Sequence, residues 1–107
     1  MNPVKNLFTE IPDILPEEVI EEILDAEAFK IERIISHAHS SPRGFWYDQE
    51  TDEWVLVLKG SAGLLFEMEE EIFVLGPGDY IHIPAHTKHR VEWTHPEEKT
   101  IWLAIHY

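Results

Sequence analysis

An all-β sandwich or barrel is predicted for this 107-residue chain by three properties. From Phe29 onward, short runs of β-branched, leucine and aromatic residues alternate with a period of two. Each run is stopped by glycine or proline, at Gly60, Gly63, Gly76, Pro77, Gly78, Pro84 and Pro96. A hydrophobic content of 44%, with four Trp, five Phe and three Tyr, supplies one core, and the length suits one domain.

The elements follow in order. Residues 1–28 form an N-terminal segment expected to pack on the outside of the barrel formed by 29–107. In that segment the acidic run Glu17, Glu18, Glu21 and Glu22 is interleaved with Val19, Ile20, Ile23 and Leu24. Their spacing favours a short helix with Pro16 at its first turn, and a strand on the domain edge is the alternative. Phe29 to Ile35 reads as the first barrel strand and leads into His37-Ala38-His39. Strands are then predicted at Glu53 to Lys59, Leu64 to Met68, Ile72 to Leu75, Tyr80 to Ile83, Arg90 to Trp93 and Thr100 to Tyr107.

Charge narrows the function. A formal net charge of −13 opposes binding to nucleic acid phosphates and to anionic membrane surfaces, so neither is expected as a partner. No apolar run reaches the length of a bilayer span, and Met1 to Lys5 lacks a hydrophobic signal core. A cytoplasmic location is the expectation. Without cysteine there is neither disulfide nor thiol chemistry, and any transition-metal site must use imidazole and carboxylate.

Such groups gather at predicted strand ends. By alternation His37 and His39 share a face with Ile35, Glu53 with Val55 and Val57, and His89 with Val91 and Trp93. In each strand that face is the apolar, core-facing one, so the four polar groups are expected to converge at a barrel mouth, as a ligand or metal site requires.

The same residues carry a family resemblance. The chain resembles the cupins, small double-sheet β-barrels of the jelly-roll type. Their first motif, His-x-His, a short gap, then Glu, six residues and Gly, is similar to His37-Ala38-His39 followed by Glu53 to Gly60. Their second, Gly, five residues, then Pro-x-Gly-x-x-His, is similar to Gly78 to His89. Here the gap from His39 to Glu53 is longer than usual, His86 replaces the glycine, and Trp93 stands where Asn is common. The resemblance implies a divalent transition metal (Fe, Mn, Ni, Cu or Zn) on His37, His39, Glu53 and His89. It also implies a metal-dependent enzyme, oxygenase-like or isomerase/lyase-like, acting on a small molecule. A non-catalytic small-ligand sensor using the same cavity is the alternative.

The remaining candidates have lesser roles. His86 is the candidate catalytic acid/base beside the metal. The long 40–52 connection is expected to fold over the mouth as a lid, with Trp46 and Tyr47, together with Trp93, as aromatic pocket walls. Arg33 either reaches into the barrel or pairs with an acidic side chain, and Arg33 or Arg43 could favour an anion. His82 points away from the interior, and His95 and His106 are read as surface residues. Trp54, Leu56, Leu58 and Trp102 are read as outward-facing, an apolar surface to be covered by the N-terminal segment or by a second copy in a homodimer.

Overall fold

In the computed structural model, which describes residues 4–107, the chain folds into eight strands and no helix. They are β1 (Val19–Asp25), β2 (Lys30–Ser36), β3 (Glu53–Lys59), β4 (Ala62–Phe66), β5 (Ile72–Leu75), β6 (Tyr80–Ile83), β7 (His89–Thr94) and β8 (Thr100–His106). Two antiparallel sheets result, a five-stranded one ordered β1-β2-β8-β3-β6 and a three-stranded one ordered β5-β4-β7. The all-β jelly-roll prediction holds. Among the described residues no helix is long and apolar enough to cross a membrane.

The sheets pack face to face. Val55, Val57, Trp102 and Ala104 from the large sheet meet Ala62, Leu64, Phe66 and Leu75 from the small one, all buried. Cross-strand pairing makes the inward rows of the large sheet explicit. Glu53, Val55 and Val57 stand opposite His106, Ala104 and Trp102, and Ile34 stands opposite Trp102. Trp102 is therefore inside, and the expectation that it faces outward is corrected. Both faces of β8 are apolar, because Ile101 is buried on the other side, so apolar content could not tell them apart.

The N-terminal segment departs from its favoured reading. Residues 19–25 form a strand, not a helix, and join the sheet by pairing with β2 (Val19 with Ile35, Asp25 with Lys30). An exposed β2 edge gives this stretch a ladder of backbone partners, broken only by a register shift between Glu22 and Leu24, and that outweighs its helical spacing. The preceding residues lie over the outer face. Arg33 of β2 donates to the carbonyls of Leu7 (3.0 Å) and Thr9 (2.7 Å) and pairs with Glu21 at 2.6 Å. The ion-pair reading of Arg33 is the one found. Residues 1–3, which begin the predicted segment and its missing signal core, lie outside the described residues.

β4 begins at Ala62, earlier than predicted, because Gly60 alone makes the turn, with φ 84°. The 37–52 connection is not a hairpin. It runs beside β7, with the Ser41 amide donating to the Val91 carbonyl and Tyr47 and His89 exchanging two backbone hydrogen bonds. It then crosses to the large sheet, where Asp52 and Tyr107 exchange another two.

Candidate functional site

β8 acts as a ruler for the predicted site. The last residue of β2, Ser36, pairs with Thr100, whereas Glu53 pairs with His106. Six residues of strand, about 20 Å, separate those two rungs. His37 and His39 therefore lie at the end of the barrel opposite Glu53. There His37 Nε2 donates to the Glu97 carbonyl at 3.1 Å, and the His39 ring accepts from the His37 amide at 2.8 Å. Ala38 takes a left-handed backbone (φ 60°), which breaks the alternation assumed between the two histidines. The predicted ligand set is not assembled; of its four members only Glu53 and His89 meet. The long gap is the chain's return path along the barrel from the end of β2 to the start of β3.

What surrounds Glu53 is a cavity of about 90 Å³ between the sheets. Its polar lining is Glu18, Glu32, Tyr47, Gln49, Glu53, His89 and His106, set in walls that include Ile34, Val55, Leu64, Val91 and Trp102. Counting back from Glu53 by the family's short gap reaches Gln49 and Tyr47. These occupy the places of the His-x-His pair, and that spacing was the available signal for them.

The geometry centres on Glu53, which is buried. One carboxylate oxygen stands 3.5 Å from His89 Nε2 and the other 3.5 Å from His106 Nε2. Each imidazole is oriented by a second partner. His89 donates from Nδ1 to the Thr87 carbonyl at 2.8 Å, which turns Nε2 toward Glu53. His106 Nε2 lies 2.7 Å from Glu32 Oε1. His106 is thus a lining residue, and the surface reading of it is corrected; β8 alternation places it on the Trp102–Ala104 face. Tyr47 stacks on His89 with ring centroids 5.5 Å apart. Burial, and then the charges of Glu18 and Glu53, push its phenol above the ordinary 10.0 and keep it neutral.

The other candidates lie outside the cavity. His86 is exposed at the rim, its ring 2.9 Å from Asp48, and its φ of 59° explains why a glycine is usual there. Trp46 stacks on Arg90, and Trp93 lies against Gly63, where a Cβ would collide with its indole, so of the three expected aromatic walls Tyr47 alone lines the cavity. His82 points outward as expected, stacked on Tyr107.

A metal on this lining meets a poor fit. Among the described residues, no three His, Asp or Glu side chains are gathered so as to hold one ion. His106 Nε2 is engaged by Glu32, and a phenol and an amide replace the imidazole pair.

The cupin domain family matches residues 32–106, and the chain belongs to it. Among solved structures it is similar to a protein from Ralstonia eutropha JMP134 described as a "putative mannose-6-phosphate isomerase" (48% identity, 98% of this chain and 97% of that one, TM-score 0.94). It shares its fold with a cupin superfamily protein from Desulfitobacterium hafniense DCB-2 (18% identity, 90% and 82%, TM-score 0.73). It shares it also with the polyketide cyclase RemF from Streptomyces resistomycificus (23% identity, 99% and 78%, TM-score 0.77). No curated protein matches the sequence.

Proposed function

We propose that this cupin binds a small organic molecule in the barrel cavity and moves a proton on it by general acid–base catalysis. The observation that carries this reading is the buried Glu53 carboxylate standing between two imidazoles, each oriented by another group. Glu53 accepts a proton from the bound molecule and hands it through the His89 imidazole to another atom of that molecule, so the proton count is conserved and both groups return to their starting states. Isomerisation and lyase chemistry both use such a pair.

The 48% identical relative's name refers to a sugar phosphate. That substrate does not suit this cavity. A phosphate would face Glu18, Glu32 and Glu53 with no Lys or Arg among the lining residues.

The test is a thermal-shift screen of small metabolites, since a specific binder raises the melting temperature by mass action. Binders are then assayed for exchange of carbon-bound hydrogen with deuterated water. Glu53→Gln abolishing exchange while the fold survives supports catalysis; saturable binding without exchange leaves a binding protein. A metal-dependent enzyme is the second reading, favoured by the Nδ1-anchored His89, whose Nε2 is free to be a ligand. Elemental analysis of wild type and a Glu53→Gln/His89→Ala variant decides it: stoichiometric metal lost only in the variant would establish that reading.

A further inference from the structure

The cavity is lined by carboxylates, with no Lys or Arg among the lining residues. Glu18, Glu32 and Glu53 line it. Glu18 accepts from the Ser36 hydroxyl at 2.8 Å, and Glu32 is met by His106 at 2.7 Å and by Lys30 at 3.5 Å. Glu53 is the carboxylate left over. Its two imidazole neighbours stand at 3.5 Å, whereas a charge-assisted hydrogen bond closes to about 2.7–2.9 Å. Neither has closed on it.

Two residues of the lining also carry a buried polar atom without a partner. The Gln49 amide oxygen is buried without a partner, and Gln49 and Glu53 both belong to the lining. Trp102, only 4% exposed, lines the cavity with its indole N–H unpartnered. Such groups are costly to leave unsatisfied. Between them the walls are hydrocarbon: Ile34, Val55, Leu64 and Val91.

We infer that the cavity takes a small primary amine, with its ammonium on Glu53 and Gln49 and its alkyl chain along Val55, Leu64 and Val91. This rests only on the reading of the barrel cavity as the ligand site: an ammonium seated on Glu53 occupies the proposed base, so the amine is a bound ligand and not the molecule whose proton is moved. An ammonium supplies three donors and one positive charge, matching one unclosed carboxylate and one orphaned amide oxygen. A hydroxyl at the far end of the chain would accept from Trp102. At about 30 Å³ for each water-sized group, the cavity of about 90 Å³ holds on the order of three, so the amine is short.

Titration calorimetry on chelator-treated full-length protein tests this with butylamine, aminobutanol, butanol and butyrate. Butylamine should bind at least tenfold more tightly than butanol, and butyrate should not bind. Aminobutanol should exceed butylamine, a gain lost in Trp102→Phe. Glu53→Gln should weaken butylamine at least tenfold, and Gln49→Leu should do so by a smaller factor, which keeps the test open if Glu53→Gln does not fold. Butanol or butyrate binding as tightly as the amine would overturn the amine assignment and leave the cavity reading standing. A stoichiometric divalent metal that excludes butylamine would overturn it in favour of an inorganic cation. Absence of binding by all four probes overturns the amine too; the cavity reading is then judged separately by the metabolite screen.

Discussion

Tyr47 links the chemistry of the cavity to the stability of the chain. Its folded-state pKa lies above 10.0, first through burial and then through Glu18 and Glu53. The unfolded chain therefore releases this proton at lower pH than the folded one. Stability from this group is intact below about pH 10 and is lost as pH rises through the folded-state value. Urea midpoints measured from about pH 9 to about pH 11 should fall less steeply in Tyr47→Phe than in wild type. Equal slopes would mean that the phenol ionises in the folded protein as it does in the unfolded one. Sequence reading placed Tyr47 correctly as a pocket wall and found Glu53 and His89, because alternation within one short strand is reliable. It missed Gln49 and His106 and misplaced His37 and His39. Alternation gives neither which of two apolar faces is inward, since Ile34 and not Ile35 lines the cavity, nor which end of a barrel a strand tip occupies. That depends on the antiparallel pairing of β2 and β3 with β8 on its two sides, which no local pattern records.

At the scale of elements, two turn glycines make contrasting demands. Gly60 has φ 84°, and a Cβ there would stand 2.7 Å from Thr100 Cα and 2.9 Å from the Lys99 carbonyl oxygen. Gly78 has φ 89°, with nothing within 4 Å of a Cβ. Gly78→Ala should cost about 1 kcal/mol, the left-handed backbone penalty alone. Gly60→Ala adds a backbone collision and should cost at least about 3 kcal/mol, both read by chemical denaturation. The residues before β1 are tied down by Arg33, with Lys99 donating to the Pro12 carbonyl as a second tie. Arg33→Ala removes the ties to Leu7, Thr9 and Glu21 and should destabilise by about 2–3 kcal/mol. Proteolysis within the first 18 residues should quicken at the same time; an unchanged cleavage rate would mean apolar contacts hold the segment instead. Strand positions were legible from period and turn residues almost throughout. β1 was not, since its i, i+1, i+4, i+5 apolar pattern serves a helix, and the β2 edge that recruits it appears only in three dimensions.

For the whole molecule, charge and apolar surface act in opposition. Trp54 and Tyr80 pack together on the outer face, their rings 5.3 Å apart, with Tyr80 mostly exposed. Sedimentation at micromolar concentration is expected to give a dimer mass, and Trp54→Glu to return it to monomer. With −13 per chain, association should strengthen as salt rises and screens the repulsion. A monomer at all salt concentrations would remove this face from consideration as a contact.

The segment before β3 carries Tyr47 and Gln49 into the cavity wall while its backbone is bonded to β7 at one point and to Tyr107 at another. Those four amides form a clock. Each exchanges its hydrogen for deuterium only when its rung opens, and a molecule seated against both sheets raises the free energy of that opening. On addition of a ligand, the amides of Tyr47, His89, Asp52 and Tyr107 should slow by a common factor. If Tyr47 and His89 slow while Asp52 and Tyr107 do not, the wall swings from the large sheet like a door on one hinge.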